Sequence, residues 1–408
     1  MGGHLTTFHI SIRRIRAFTE VARVQSLSSA AHALRLSQPA LSQSISHLEQ
    51  QLDIKLFDRQ SEGSFLTSAG LIFQRRTERF FAQIAEAVSH SRADKIESAD
   101  VAAVINKLSY AHIRSILAIW RCGHFRAAAL HLSISQASLQ RAARQLELIM
   151  GVPLYRRSAS GLGVNERGEF FARRCALALA EIEAGRQEIN AAQHQNARIR
   201  IGILPLAPRM ILAQAMHMSH ELNGMVEIID GSYEQLAVLL NDGALDVLVG
   251  ALRSPSSYDD LTQEPLFEDP YVIVSRPDHP LFHQSALAMS DIADYQWILP
   301  PQGLPRRFVL DDWFKLHALT PQGIFETSCL LTIAALLSKS DDLSILSRSY
   351  VELDGASHLR ALDQISIPHK PRLVGLTYRR NWLPTPFQAD VMAHLRASAS
   401  VFDRHKAA

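Results

Sequence analysis

The sequence predicts a mixed α/β chain with two mainly α-helical winged helix-turn-helix domains, each followed by a linker helix, and then a two-lobed α/β domain. Three observations predict this organisation. A helix-sized segment recurs 98 residues further along the chain, the two halves differ in charge, and near residue 197 the apolar pattern changes from helical to alternating strand and helix. A length of 408 residues also exceeds that of one ordinary domain.

The repeat is clearest in the stretches LSQPALSQSISHLEQQL (Leu36–Leu52) and ISQASLQRAARQLELIM (Ile134–Met150). Aligning residues 15–76 with residues 113–174 needs no gap and gives 18 identical pairs. Several of these pairs are apolar residues at helical spacing. A chance likeness of two amphipathic helices is the alternative, but a constant offset across several elements favours a duplicated domain.

Each copy contains the elements of a helix-turn-helix. In the first copy we predict helices over residues 12–24 and 28–34, and then a longer helix capped by Ser37 that tolerates Pro39 in its first turn. The second helix of such a pair can enter the major groove of DNA. Residues 52–70 then predict a wing of two strands around Gly63, which would bring Arg59 near phosphates.

The run SLSSAAHALRLSQPALSQSISHLEQQLDIKLFDR, followed by LTSAG, resembles the N-terminal domain of LysR-type transcriptional regulators and covers most of that domain. The resemblance implies a winged helix-turn-helix, a long linker helix for dimerisation and an effector domain of the periplasmic-binding-protein type (type 2). The usual member of the family has one helix-turn-helix, so the second copy is a departure. The expected domains are a first winged helix-turn-helix (8–70), a first linker helix (71–95), a second, degenerate winged helix-turn-helix (108–168), a second linker helix (169–195) and the effector domain (196–408).

The candidate DNA-binding residues follow from this resemblance. The first copy matches the family's base-contacting positions with Gln38, Pro39, Ser42 and Gln43, and we add Ser37 and Arg59 to this set. Gln can pair with adenine edges, and apolar atoms can meet a thymine methyl group. The second copy has a more basic set, in which Arg can bridge guanine O6 and N7 or neutralise a phosphate. This set is Gln136, Gln140, Arg141, Arg144 and Arg157.

Two interpretations of the second copy stay open. It could be a folded relic used for packing, because Asn165–Gly168 (Asn-Glu-Arg-Gly) replace Thr67–Gly70 (Thr-Ser-Ala-Gly) at the end of the wing. A relic, however, would lose its exposed polar positions first, and these positions remain polar. We therefore favour DNA contact by both copies.

An apolar stripe follows each copy, over residues 71–91 and 169–192. In the family such helices pair between two chains. Here we expect them to pair antiparallel within one chain, which would create a built-in pseudo-dimer of two different DNA readers and an asymmetric operator. Residues 91–107 are interpreted as the polar connector between the copies.

Charge and composition limit the function classes. Residues 1–195 contain 24 Lys and Arg against 16 Asp and Glu, whereas the rest contains 18 against 24, which fits a polyanion-binding half joined to an acidic half. The three scattered cysteines predict neither a disulfide framework nor a zinc site. No GxSxG, HExxH or Walker motif occurs. We expect a cytoplasmic protein that is not an enzyme and holds no metal or cofactor.

From residue 197 onward, alternating strands and helices predict a parallel sheet in α/β units. The chain is expected to cross into a second lobe near Phe267–Pro270 and to return near Pro368–Pro371, which gives lobe I (196–270 and 371–408), lobe II (271–370) and a ligand cleft between them. The stretches GILPLAP and WILPPQGLPRR resemble regulators of the galactose-binding-protein and protocatechuate types. That subtype implies a sugar or an aromatic or other organic acid as effector.

Candidate effector-binding residues lie at strand-to-helix turns, where backbone N–H groups suit carboxylate or hydroxyl oxygens. They are Leu204, Pro205, Gly231, Ser232, Gln302, Gly303, Thr327 and Ser328. Arg306 and Arg307 could in addition clamp an acid group. A solvated helix end, or a salt bridge to Asp311 or Asp312, is the alternative role for these two arginines.

The predicted function is a sequence-specific DNA-binding transcriptional regulator in the cytoplasm, associated with the nucleoid, whose effector shifts the spacing of its DNA readers. The expected partners are double-stranded DNA, a small-molecule effector, further copies of the chain in a dimer or tetramer and, as a further candidate, RNA polymerase, but no membrane. The alternative class is a ligand-binding or interaction protein whose helix-turn-helix copies serve assembly only.

Overall fold

The computed structural model of this chain describes residues 11–60, 63–92, 98–158, 161–190, 197–218, 224–253, 260–320, 322–353, 358–367 and 372–404. The chain divides near residue 197 into two compact units, which are described separately. Within these ranges, no helix is long and apolar enough to cross a membrane.

The first unit contains the two copies in chain order. The elements of the first copy are α1 (Ile12–Val24), α2 (Leu27–Leu34), α3 (Gln38–Leu52), β1 (Phe57–Gln60), β2 (Gly63–Leu66) and α4 (Ser68–Ser91). After α5 (Ser98–Lys107), the second copy contains α6 (Tyr110–Cys122), α7 (Phe125–Leu132), α8 (Gln136–Met150), β3 (Tyr155–Ser158), β4 (Gly161–Val164) and α9 (Glu166–Ile189). Each copy is therefore three helices, an antiparallel two-stranded wing and a long helix.

The core of the first copy forms where the apolar faces of its helices meet. Ile15 and Phe18 of α1 are buried, and the Phe18 ring packs edge-on against Phe73 of α4 with centroids 5.1 Å apart. Leu41 and Leu48 of α3 are fully buried, as are their counterparts in α8. Because the buried face of each recognition helix is fixed in this way, its opposite face is turned to solvent.

The interpretation of residues 91–107 as a polar connector is wrong for its second part, where α5 forms. Val101, Val104 and Leu108 are buried at helical spacing. This apolar pattern was overlooked because charged residues precede it. Arg16 of α1 donates to the last carbonyls of α5, with 2.8 Å between Nη2 and Ile105 O, and a cation is favourable at a helix C-terminus. Residues 93–97 of the connector lie outside the described residues.

The second unit begins with β5 (Arg198–Ile203), α10 (Arg209–Met218), β6 (Met225–Asp230), α11 (Tyr233–Asn241), β7 (Val247–Ala251), β8 (Leu261–Asp269) and β9 (Tyr271–Ser275). A 3-10 turn (Pro280–His283) precedes α12 (Met289–Ala293), β10 (Gln296–Leu299), α13 (Pro305–Leu316), β11 (Gln322–Glu326), α14 (Leu330–Leu337) and β12 (Leu343–Ser347). The last elements are α15 (Arg348–Leu353), β13 (Arg360–Ala361), β14 (Arg372–Arg379) and α16 (Pro386–Arg404).

These strands form two five-stranded sheets, one in each lobe, with the orders β6-β5-β7-β14-β8 and β11-β10-β12-β9-β13. The prediction of a parallel sheet is only partly right, because both sheets are mixed. Strands β5, β6 and β7 are parallel, whereas β14 runs antiparallel to β7 and β8. The strands that run against the others, β14 in lobe I and β9 in lobe II, are the ones that follow a crossing, so each enters its sheet from the other lobe. The return crossing predicted near Pro368–Pro371 lies outside the described residues.

Candidate nucleic-acid interface and effector domain

The recognition helices α3 and α8 begin in the same way. Ser37 Oγ accepts a hydrogen bond from Ala40 N at 3.4 Å, and Ser135 Oγ accepts one from Ser138 N at 3.1 Å. Two residues before each cap, Arg35 and Ser133 both have φ of 54°, a left-handed turn that ends the preceding helix. The cap predicted at Ser37 is therefore formed, and Ser135 caps α8 in the same way. The tight turn between the helices has the same conformation in both copies although its residues differ.

The outward face of each recognition helix carries the predicted DNA-contacting residues. Gln38, Pro39 and Gln43 of α3 are exposed with the cap Ser37, and Ser42 is half-buried. In the second copy every residue of the predicted set is exposed, namely Gln136, Gln140, Arg141, Arg144 and Arg157. The structure thus brings each set together on one accessible surface. Their contact with bases stays a prediction.

A carboxylate joins each recognition helix to its wing, and it is buried in the first copy and half-buried in the second. Glu49, which is 4% exposed, accepts hydrogen bonds from the backbone N–H groups of Leu56 (2.9 Å) and Phe57 (3.2 Å). Glu147 accepts the equivalent pair from Leu154 (2.8 Å) and Tyr155 (3.2 Å). The sequence analysis missed this role, although Glu49 and Glu147 are one of the 18 identical pairs and the one pair among them that is acidic.

The first wing also contacts its recognition helix through Arg59. Its Nη1 lies 3.2 Å from Ser42 Oγ, so the exposed guanidinium is held beside the predicted base-reading residues. The equivalent residues of the second copy are Arg157 and Gln140, both exposed. Arg59, which is predicted to contact phosphates, therefore lies on the same surface as the outward face of α3.

The end of the second wing is intact, which corrects the argument that its altered motif indicates a relic. Thr67 Oγ1 accepts from Gly70 N at 3.0 Å and donates to Lys55 O at 2.8 Å. Asn165 does both tasks with its two side-chain atoms: Oδ1 accepts from Gly168 N at 2.9 Å, and Nδ2 donates to Pro153 O at 2.9 Å. Thr and Asn are both good N-caps, so the replacement preserves the start of α9.

The linker helices α4 and α9 pack against each other in antiparallel orientation, as the sequence predicted. Near one end Arg76, which is 1% exposed, donates to Glu181 at 2.8 Å and to Glu188. Near the other end Arg174 pairs with Glu86 at 2.5 Å. Residues early in α4 therefore contact residues late in α9, and residues late in α4 contact residues early in α9.

Further polar and aromatic contacts extend this helix pair. Arg79 and Arg75 of α4 form ion pairs with the same two glutamates, at 2.8 Å and 3.0 Å. Arg174 donates to Gln83 at 3.3 Å, and the His90 ring stacks on Phe170 with centroids 3.8 Å apart. The buried face of the pair thus contains charge as well as the apolar stripes.

In the effector domain, the candidate residues lie after the C-terminal ends of parallel strands. Leu204, Pro205, Gly231 and Ser232 follow the neighbouring strands β5 and β6, and Gln302, Gly303, Thr327 and Ser328 follow β10 and β11. Each lobe therefore gathers its own four residues at one sheet edge. The Leu204 side chain is 6% exposed and packs toward the core, and its backbone N–H already donates to Val249 O at 3.2 Å. The Ser232 N–H already donates to Gln235 Oε1 at 3.1 Å.

Arg307 takes the alternative role that the sequence left open. Its Nε donates to Asp311 at 2.8 Å, and its Nη1 donates to Glu326 at 2.8 Å and to Pro300 O at 2.9 Å. Because these bonds hold the guanidinium inside lobe II, it is not a free clamp for an acid group. Arg306 is also buried, at 4% exposed, but its Nη1 has no hydrogen-bond partner among the described residues.

The crossings between the lobes carry a buried polar cluster that the sequence analysis missed. Asp269 accepts from Ser349 Oγ at 2.6 Å, from Ser349 N at 3.0 Å and from Arg372 at 2.5 Å. Arg372 also donates to Leu206 O at 2.8 Å, in the turn after β5. These residues are up to 166 positions apart in sequence, so no local pattern indicates their contact.

Two family models match this chain. The model of the bacterial regulatory helix-turn-helix protein, lysR family, matches twice, at residues 12–71 and 110–169. The LysR substrate binding domain matches residues 192–400, about half of the chain. The chain belongs to the LysR family. It is a transcriptional regulator with a DNA-binding part and an effector-binding domain.

Curated relatives and a solved structure agree with this assignment. The HTH-type transcriptional regulator GalR of Pseudomonas putida is 29% identical over 392 residues, covering 95% of this chain and 96% of that protein. PcaQ of Agrobacterium fabrum is 26% identical over 308 residues, covering 74% and 98%. A full-length OxyR variant from Pseudomonas aeruginosa has a TM-score of 0.51 at 21% identity, over 72% of this chain and 95% of that one. Since the match to GalR covers nearly the whole chain, it spans both helix-turn-helix copies, whereas the match to PcaQ leaves room for one.

Proposed function

We propose that this LysR-type regulator presents two different DNA readers, α3 and α8, from one polypeptide to one asymmetric operator, under control of a small-molecule effector in the two-lobed domain. The observation that carries this proposal is the pairing of α4 with α9 inside one chain. In a chain with a single copy, the same pairing would require a second molecule.

The pairing is selective because the two linker helices are not equivalent. The offset of 98 residues relates the Arg76–Glu181 contact to the contact of Arg174 with Gln83, and it relates Glu188 to His90. Two α4 helices packed symmetrically would therefore set each Arg76 against Gln83 and His90. The half-exposed Glu86 would be the carboxylate left within reach.

A buried arginine without these carboxylates would destabilise the helix pair. Removing the partner of a buried ion pair destabilises a protein by about 3–5 kcal/mol, because an uncompensated charge stays in a medium of low dielectric constant. Packing acts in the same direction. A Cβ at Gly185 would lie 3.2 Å from Arg76 Cβ, and in a symmetric α4 pair that position is taken by Ala87. The helix α4 therefore favours α9 over a second α4.

The different side chains on α3 and α8 support an asymmetric operator. Gln, Ser and Pro on α3 suit adenine edges and thymine methyl groups, whereas Arg141 and Arg144 on α8 suit guanine O6 and N7. One half-site is then expected to be rich in A·T pairs and the other to contain G·C pairs at the contacted positions.

We also propose the remaining partners. Met225 and Ile228 are exposed on the edge strand β6, which supports assembly of further copies into a dimer or tetramer. RNA polymerase is a proposed partner of the DNA-bound form, and the proposed location is the cytoplasm, at the nucleoid. The effector is a sugar or an organic acid bound at the strand ends of the two lobes.

Selection of DNA from a random pool by the full-length protein tests the asymmetric operator. The expected consensus has two different half-sites, and binding falls steeply with salt, with a log–log slope of about −0.9 for each phosphate neutralised. A consensus that is a perfect inverted repeat would overturn the proposal, since it would mean that two copies of the same helix read the DNA.

A further inference from the structure

A buried arginine, Arg306, and a half-buried one, Arg372, act on each other electrostatically where the chain passes between the lobes of the effector domain. Arg306 lies in the first turn of α13, and Arg372 is the first residue of the returning strand β14. Within the described part of the chain, Arg306 Nη1 and Arg372 Nε are both buried without a hydrogen-bond partner. Arg306 is 4% exposed, so bulk water does not satisfy its guanidinium.

The charges at this point do not balance. The carboxylate placed against Arg372 is Asp269, whose oxygens also accept two hydrogen bonds from Ser349. The Arg372 guanidinium lies over the Tyr271 ring, 5.4 Å from its centroid. Burial lowers the pKa of Arg306 to about 10; Tyr271 raises that pKa again, and the positive charge of Arg372 lowers it. A pKa of about 10 leaves Arg306 charged at neutral pH.

A buried cation without a counter-ion is costly, and a bound anion relieves that cost. The guanidinium fork fits a carboxylate through two parallel hydrogen bonds, which a point charge cannot do. The N-terminus of α13 adds a positive partial charge on the same side. A neutral sugar offers hydroxyl groups but no negative charge, so it does not complete this site.

We propose that Arg306 and Arg372 bind the carboxylate of an acidic effector at the crossing between the lobes. This inference rests on the proposed effector-binding function and narrows its ligand to carboxylic acids. The same Arg372 donates to Leu206 O, in the turn that carries Leu204 and Pro205, and its partner Asp269 ends β8. A carboxylate bound here therefore contacts the segments that join the two lobes.

Thermal unfolding of the full-length protein with matched ligands tests the site. The probes are benzoate against benzamide, and D-galactonate against D-galactose, so each acid is paired with a neutral analogue and an aromatic acid is distinguished from a sugar acid. At least one acid is expected to raise Tm by about 2–4 °C at saturation, while neither neutral analogue does. Equal shifts for acids and neutral analogues, or no shift with either acid, would overturn the proposal.

The variant Arg306→Met gives the second readout. It should lose the response to the acid and, without ligand, unfold at the same or a higher temperature than wild type, because it removes an uncompensated buried charge. The control Arg276→Met removes an arginine of lobe II that pairs with Asp341, and it should retain the response. A lower Tm for Arg306→Met without ligand would indicate a structural arginine and contradict the assignment.

DNA binding of the same proteins separates this inference from the proposed function. The control Arg276→Met should bind the selected operator with wild-type affinity. If wild-type protein fails to bind DNA, the proposed function fails while the ligand result stands. If DNA binding is normal and the acids have no effect, the anion site alone is wrong.

Discussion

The two helix-turn-helix copies differ most where they face solvent and least where they hold themselves together. The caps Ser37 and Ser135 are the same, and Glu49 and Glu147 tie helix to wing with the same two hydrogen bonds. On the outward faces, Ser42 and Gln43 correspond to Gln140 and Arg141. The two copies thus share their scaffold and differ on their solvent-facing surface.

The linker helices α4 and α9 likewise share their apolar residues and differ in their polar ones. The apolar stripe is common to both, but their polar partners have diverged so that the glutamates lie on α9 and Arg76 lies on α4. This difference is the basis of our proposal that α4 pairs with α9 in preference to a second α4. The predictions below test this difference between the copies.

The largest effect is expected at Arg76. Arg76→Ala should lower the free energy of unfolding by about 3 kcal/mol, the low end of the effect of breaking a buried pair, because Glu188 and Glu181 lose their fully buried partner but keep the more exposed Arg75 and Arg79. The matched change Arg174→Ala should cost about 1 kcal/mol or less, because its partner Glu86 is half-exposed. Urea unfolding of both full-length variants measures the difference. Equal losses would mean that the two ends of the helix pair are equivalent.

The next effect concerns DNA. Replacing Gln38, Ser42 and Gln43 with Ala should reduce affinity for the selected operator about 100-fold and relax base preference in one half-site, since each good bidentate contact contributes about 1–3 kcal/mol. The double change Arg141→Ala with Arg144→Ala should relax the other half-site. Fluorescence anisotropy with operators mutated in one half-site at a time separates the two. If only the first variant affects DNA binding, the second copy is a packing element.

A smaller and equal effect is expected in the two wings. Glu49→Ala and Glu147→Ala each leave two backbone N–H groups without their acceptor, which should cost about 1–3 kcal/mol in both copies. Urea unfolding measures the loss, and amide exchange at Leu56 and Leu154 locates it. A loss confined to one copy would show that the shared hydrogen bonds are unequal in strength.

The smallest effect tests whether the second wing end is intact. Asn165→Thr should change the free energy of unfolding by less than about 0.5 kcal/mol, whereas Asn165→Ala should lower it by about 1 kcal/mol, because only the latter removes the N-cap. Thr67→Asn is the reciprocal control in the first copy. A large loss for Asn165→Thr would show that the second copy has become dependent on its own cap.

Local signals were sufficient to predict much of this architecture. Ser37 with Pro39 fixed the start of α3, and the apolar stripes predicted both linker helices, although each begins three residues earlier than expected because Thr67 and Asn165 are the caps. The helix α5 was missed because three apolar residues, Val101, Val104 and Leu108, are a weak signal beside a charged stretch.

Long-range contacts were beyond the reach of the sequence. Arg307 forms ion pairs with Asp311 and Glu326, and Arg372 forms one with Asp269. The pairs with Glu326 and Asp269 exist because the fold brings distant strands together. The sequence could nominate Arg306 and Arg307 together as acid-binding groups. It could not distinguish them, since only the surroundings of each guanidinium decide which one already has carboxylate partners.

The covalent connection between α4 and α9 also changes how the regulator responds to its own abundance. On the proposal that α3 and α8 both read DNA, the two readers share a fixed local concentration, so dilution in a cell with few molecules does not separate them. A mutation in one reader leaves the other untouched, whereas in a symmetric pair every mutation appears twice. Each half of the target sequence can consequently drift in evolution together with its own helix, independently of the other half.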